Sequence, residues 1–592
     1  MRFGLMRRVS GLAILAAVAF TGGPVMAKET AAAPKAPPVV AASLAGAFLA
    51  ARTAEADNDY ADAIAFYQRA LAFDVDNEQL QQSLLLTMIA GGRFDDALPV
   101  AEKLKSVPEA ERYARLALGV DAIRGKQYRS AINYFRLALS SDLDNLLTGV
   151  LTSWAMTGSG NTKDALEHLA KLEGPAWFEI FRNYQAALIA DVAGDPSAGE
   201  RYQKVLDDRA AAGAAPDTWL RAVDAYVSWA ARNGRQKKAM EVADLGLEVS
   251  AGRPSTTALK AAIEAGKTVP PLVRNPKEGG AEILLNVAAA LNRTGGENFV
   301  RLYLRYALAL DPNNDMALAT LGSVAEKLGE SQLAIDTYSK VPATSSFKRL
   351  AELQLGLNLA DLDRYDEAVK HLKTAIAEDE TDTRAWLSLG GVYAAKEEFA
   401  EAAKLYDEAV TKIGEPKPED WTLFYRRGIA YERIKQWDKA EPNFRKALEL
   451  EPDQPQVLNY LGYSWVDMNR NLDEGLEMIR KAVDLRPQDG YIVDSLGWAY
   501  YRLGRYDEAV KELDRAVSLM PQDPTINDHL GDAYWRVGRR LEATFQWSHA
   551  LGLNPDDDLR PKVEAKLKKG LPEEKKPDLA EPAEAGKGGD KG

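Results

Sequence analysis

An all-α solenoid of stacked helix pairs is the fold class this sequence predicts, and three observations predict it. A motif of 34 residues recurs along most of the chain, each copy carries two apolar stripes at helical spacing, and no stretch stands out with the alternation of a strand. The clearest copy is residues 493–523, VDSLGWAYYRLGRYDEAVKELDRAVSLMPQD. Val493, Leu496, Gly497 and Tyr500 fall at i, i+3, i+4 and i+7 and make one apolar helical face. After a turn at Gly504 and Arg505, Ala509, Leu513 and Ala516 mark a second face, and Pro521 ends it by withholding an N–H. Gly497 and Ala516 are small because two helices must approach closely there.

These residues resemble the tetratricopeptide-repeat (TPR) signature, W-x2-L-G-x2-Y, then A-x3-F, then P, at a period of about 34. The resemblance implies a right-handed superhelix with a long concave groove. With 592 residues the chain is too long for one globular core unless repeats build it.

Taken in order, residues 1–27 are predicted to be a cleaved signal peptide. Arg2, Arg7 and Arg8 supply the charged end, residues 11–20 an apolar run too short to cross a bilayer, and Val25-Met26-Ala27 the cleavage point. Residues 28–42 are an Ala/Pro-rich linker. From 43 to 250, small second-helix residues at Ala63, Ala97, Ala131, Ala165, Ala198 and Ala239 set out six degenerate repeats. Prolines 254, 270, 271 and 276 interrupt the pattern over 251–280, leaving room for one helix near 257–265. Over 281–555 eight regular repeats follow, anchored on Ala288, Gly322, Gly356, Gly390, Gly428, Gly462, Gly497 and Gly531. Loop insertions near Gly414 and Asn471 account for the two irregular spacings. Beyond 555, a charged capping helix over Leu559–Lys569 and a disordered Glu/Lys/Pro/Gly tail complete the chain. About fourteen helix pairs result, each expected to touch mainly its neighbours.

The composition excludes several classes of function. A net charge of −13 argues against nucleic acid or anionic lipid as the main partner. With no cysteine there is no disulfide, thiolate metal site, cysteine nucleophile or lipidated N-terminus. Gly266-Lys267-Thr268 ends like a phosphate-binding loop, but Ala261 stands where its glycine belongs. His529 and His549 are too far apart for a one-helix metal pair, and Asp556-Asp557-Asp558 lacks the alternate spacing of a calcium loop. No catalytic constellation is found, so the sequence predicts neither an enzyme nor a cofactor.

What remains is binding. In a TPR-like array the first helix of each pair lines the groove, with outward points one, four and five residues after the glycine and another three before it. In the last four repeats these points include Ile429, Glu432 and Val466, and together with Tyr491, one turn further back, they select a partner-binding stripe. The stripe comprises Tyr425, Arg433, Asn459, Tyr463, Tyr491, Asp494, Trp498, Tyr501, Arg502, Asp528, Asp532, Trp535 and Arg536. Exposed Tyr, Trp and Arg are enriched at interaction hot spots. The competing assignment is that the same rings fill the seam between adjacent first helices.

The segment NYLGYSWVDMNRNLDEGLEMIRKAVDLRPQDGYIVDSLGWAYYRLGRYDEAVKELDRAV, continuing into INDHLGDAYWRVGRRLEATFQWSHAL, resembles a proteobacterial family of exported TPR proteins. That family includes the outer-membrane lipoprotein that activates a periplasmic carboxyl-terminal processing protease. The resemblance spans 281–555, and it implies a soluble periplasmic adaptor that docks a protease or cell-wall enzyme. It departs from the lipoprotein in having no cysteine to anchor. The alternative function is a structural subunit of an envelope export or assembly machine, and self-association is compatible with either.

Overall fold

Pair after pair of helices turns on one residue in the left-handed backbone region, and these residues keep the sequence period. In the computed structural model, which describes residues 42–136, 141–208, 213, 215–292 and 297–572, they are Asn58, Gly92, Lys126, Gly160, Gly194 and Gly234. Later in the chain come Gly329, Asp363, Glu397, Lys435, Asn469, Gly504 and Gly538. The reversal closes as a Schellman-type cap at Gly504: its N–H reaches Tyr501 O at 3.0 Å and the Arg505 N–H reaches Tyr500 O at 2.9 Å. Glycine takes such a φ without steric cost, whereas Lys126 and Glu397 accept the strain. The predicted signal peptide, nearly all of the linker and the tail beyond 572 lie outside the described residues.

Each first helix starts on a local signal. Asp489 accepts from Tyr491 N at 3.2 Å, Asp523 accepts from Thr525 N at 2.8 Å, and Pro524 occupies the first helical position where no N–H is needed. Between the two helices of a pair the glycine allows contact. A Cβ on Gly497 would lie 2.5 Å from Leu513 Cγ, and one on Gly462 would lie 2.7 Å from the Gly475 carbonyl oxygen.

The protein is all-α: the described residues form fourteen helix pairs, six before Ser250 and eight from Pro276 on, with Pro254–Glu264 between them and Leu559–Lys569 at the end. The helix expected near 257–265 therefore starts three residues earlier, on Pro254 at its first position. The chain divides into two compact units, one reaching Val392 and one starting at Tyr393, so segment 251–280 lies inside the first.

In the first unit one pair breaks the rule that each touches mainly its neighbours. Helix Pro276–Asn292 packs against the first helices of four earlier pairs: Glu111–Arg124, Asp142–Gly158, Phe178–Val192 and Pro216–Arg232. Its partner Glu297–Leu310 packs against Glu78–Ala90 and Glu111–Arg124. This hairpin thus fills the inner face of the degenerate array. Gly279 lets the Trp154 ring come so close that a Cβ would sit 2.2 Å from it, and Phe94 meets Tyr306 edge-on at 5.9 Å.

Polar groups fix the hairpin's register. Arg221 donates through Nε and Nη2 to both Glu282 oxygens, at 3.0 and 2.6 Å, and the Tyr184 hydroxyl donates to the same carboxylate at 3.0 Å. Asn286 joins them, taking the Gln185 amide at 3.2 Å, while Gln185 accepts from Trp154 Nε1 at 2.7 Å. All are buried. Burial pushes the Glu282 carboxyl up, but the guanidinium and the hydrogen bonds outweigh it and hold the pKa below its ordinary value.

Candidate functional site

In the second unit the first helices converge. Pro455–Asp467 touches Gly490–Arg502, and Gly490–Arg502 touches Pro524–Arg536, while the second helices make no comparable contact with one another. First helices therefore form the inner layer, and the wall they present is the candidate binding site.

The outward points chosen from sequence separate into three groups. Tyr425 and Asp494 are buried in the seam between successive first helices rather than on open wall, while Asp528 and Asp532, on the last first helix, are buried under the chain's own end. Tyr425 packs against Phe444 and Tyr460 at 6.2 and 5.9 Å, and burial pushes its phenol up to about 12. Asp494 holds His529 Nδ1 of the next repeat at 3.0 Å. Val466 and Glu432 are likewise inside: Val466 is core, and Glu432 accepts from the Tyr460 hydroxyl at 3.1 Å. The reason is geometric. At Tyr425, Glu432 and Asp494 a side chain of the next first helix, Tyr460 or His529, lies over the position, so packing that helix covers them.

The second group is half-buried. Trp498 stacks on Tyr501 at 4.7 Å and 9°, and on His529 at 4.1 Å and 18°. Tyr463 and Arg433 lie along the same wall, the Arg433 guanidinium 4.4 Å over the Phe399 ring. Asn459 has its side-chain carbonyl buried without a hydrogen bond. At the rim, Arg502 donates to Asp467 Oδ1 at 2.9 Å, and exposed Tyr491 borders an open recess of about 530 Å³ with Arg486, Pro487 and Met520.

The third group is covered by the chain's own end. Lys566, on helix Leu559–Lys569, donates to Asp528 Oδ2 at 2.7 Å and Asp532 Oδ2 at 2.8 Å. Arg536 donates to the Tyr501 hydroxyl at 3.2 Å and to the Pro572 carbonyl at 2.9 Å, and Gly570 lies directly on the Trp535 ring. Burial, then the neighbouring Asp528 charge, pushes the Asp532 carboxyl up to about 6 despite Lys566. Sequence reasoning missed His529 and Lys566 as partners of these acids. The usable signal was position, since His529 stands two residues before its glycine as Tyr460 does before Gly462, and both reach back to the preceding repeat.

Among the described residues no cluster of three His, Cys, Asp or Glu could hold a metal, and no helix is long and apolar enough to cross a membrane. The wall offers ring edges, guanidinium groups and carboxylates.

Helix pairs at a period of about 34 and the wall of first helices together define a tetratricopeptide-repeat solenoid. The family model described as the Cilia and flagella-associated protein 70 C-terminal domain matches residues 348–565. A TPR repeat-containing protein of Pseudomonas aeruginosa, PA4667, is 30% identical over 196 residues, covering 33% of this chain and 32% of its own length. The general transcriptional corepressor ssn6 of Schizosaccharomyces pombe is 23% identical over 217 residues, 35% of this chain and 19% of its own. The chain thus spans no more than a third of these relatives. Among solved structures, the APC/C hetero-tetramer Cut9–Hcn1 is similar at 14% identity and a TM-score of 0.37, over 89% of this chain and 96% of that one.

Proposed function

We propose that this chain is an exported periplasmic scaffold that docks a partner polypeptide on the first-helix wall of its second unit. The partner class is a carboxyl-terminal processing protease or another cell-wall enzyme. The observation that carries the reading is the half-buried row Tyr463, Trp498 and Tyr501 with Arg433, Arg502 and exposed Tyr491 beside it. Rings held in place by stacking present apolar edges at little further entropy cost, and the Arg502–Asp467 pair offers polar handles to a peptide backbone. The first unit's inner face is filled by its own hairpin, which leaves the second unit's wall as the docking surface. The acidic balance and the absence of cysteine fit a soluble exported protein, and the resemblance over 281–555 supplies the partner class.

The test is turnover of a purified periplasmic carboxyl-terminal processing protease on a protein substrate, with and without the chain. The expected result is acceleration that the double substitution Trp498→Ala, Tyr501→Ala removes while the fold is kept. Unchanged turnover, with the chain recovered instead on an outer-membrane export assembly, would contradict the adaptor reading and support a structural subunit.

A further inference from the structure

The last repeat of the second unit differs from the one before it in what lies on its wall. Tyr501 and Arg502 stand four and five residues after Gly497, and Trp535 and Arg536 hold the same two places after Gly531. Gly570 rests on the Trp535 ring, and Arg536 donates to the Pro572 carbonyl at 2.9 Å. Residues 570–572 are not helical. A glycine backbone on an aromatic face and a carbonyl on a guanidinium are contacts that many polypeptides can make. The chain's own end therefore fills this station as a bound segment would.

Its hold is slight. From Trp421 on, each helix that lines the wall packs against a second helix of its own. Among the described residues helix Leu559–Lys569 has no such companion, and it packs chiefly on Arg540–Gly552. Only Val563 of its eleven residues is fully buried, with Leu559 and Leu567 partly so. Its ionic anchor is Lys566, which Asp528 and Asp532 share. Asp528 Oδ1 stays buried with no hydrogen-bond partner among the described residues. Opening returns that oxygen to water, which offsets part of the loss of the ion pairs.

We propose that residues 559–572 are an autoinhibitory strap, which occupies the last station of the wall and comes off it while the last helix pair stays folded. Independent opening of this kind belongs to elements with few buried apolar contacts. The proposal rests on the docking reading for what the bared station receives. That ligand is a non-helical polypeptide segment, which lays a small residue on Trp535 and offers a carbonyl to Arg536.

Hydrogen exchange on the whole chain tests the strap. The expected result is exchange over 559–569 at least about tenfold faster than over 540–552. The variant Lys566→Gln/Gly570→Val removes the ammonium and drives a side chain into the Trp535 ring. It should speed exchange over 559–569 by about tenfold again and leave 540–552 unchanged. If it also loosens 540–552, Gly570→Val alone, which leaves both aspartates paired, is measured in its place. A labelled peptide of residues 559–572 should bind the opened variant about tenfold more tightly than wild type, whose own strap competes at high effective concentration. Strap amides that exchange only together with 540–552, or a peptide that binds both chains alike, would overturn the proposal. Neither measurement involves the protease, so a protease that gains nothing from either chain counts against the docking reading alone.

Discussion

The indole of Trp498 lies parallel to the imidazole of His529, centroids 4.1 Å apart and planes 18° apart, so a ring of one repeat rests on a ring of the next. Trp498 is accordingly half seam and half wall. Trp498→Ala removes two stacking contacts, each worth about 0.5–1.5 kcal/mol, from a ring that keeps part of its surface in water. A loss of about 1–2 kcal/mol is expected. Trp465→Ala, at a fully buried ring of the preceding pair, should cost about 3–5 kcal/mol. Urea titrations of the two variants check the ranking.

The Arg221–Glu282 pair gives a sharper test of the hairpin inside the first unit. Arg221→Met leaves Glu282 buried without its counter-charge, at a cost of about 3–5 kcal/mol. Adding Glu282→Gln recovers most of that. Because the folded pKa of Glu282 is depressed, its contribution is complete above about 4.5 and is lost as pH falls through the folded value. The deficit of the Arg221→Met chain, read by hydrogen exchange of the first unit, should therefore be full at neutral pH and shrink as pH falls below about 4.5, where protonation relieves the uncompensated Glu282 charge.

His529 titrates with the opposite sign. Burial lowers the imidazole pKa, but Asp494 outweighs it, and the net shift is upward from 6.5. Its contribution is present below about 6.5 and is lost as pH rises through the folded value. The last two repeats should lose stability as pH rises above about 6.5 and through the raised His529 value, above the Asp532 titration near 6. Thermal melts of wild type and His529→Gln over that range isolate the effect, since the variant should show a flatter slope.

Gly462 faces the Gly475 carbonyl rather than a flexible side chain, so nothing nearby can yield to a methyl group. Gly462→Ala should cost about 1–3 kcal/mol. Gly391→Ala, where a Cβ meets nothing within 4 Å, should be neutral or slightly stabilising. A paired urea titration measures both.

The repeat was legible because its causes are local. A left-handed residue must stand at each turn, as Gly504 does, and a small one at each crossing, as Gly497 does, so both recur with the period. The hairpin at 276–310 was read as an ordinary repeat because its apolar spacing is ordinary. What sets it apart is Glu282 and Asn286 on its buried face, whose partners lie 61 to 101 residues away in sequence. The stripe was partly legible for the same reason: Asp494 reads as an exposed acid until the next first helix lays His529 on it. Lys566 was hidden within a helix whose charges read as solvated.

The central claim, that the first-helix wall of the second unit grips another polypeptide, is tested most directly by site-specific photo-crosslinking. A benzophenone side chain would replace Tyr491, Tyr501 or the outward Lys511 in turn, with the carboxyl-terminal processing protease present. Adducts from Tyr491 and Tyr501 and none from Lys511 are the predicted result. Equal adducts from Lys511, or none from the two tyrosine positions, would contradict the account.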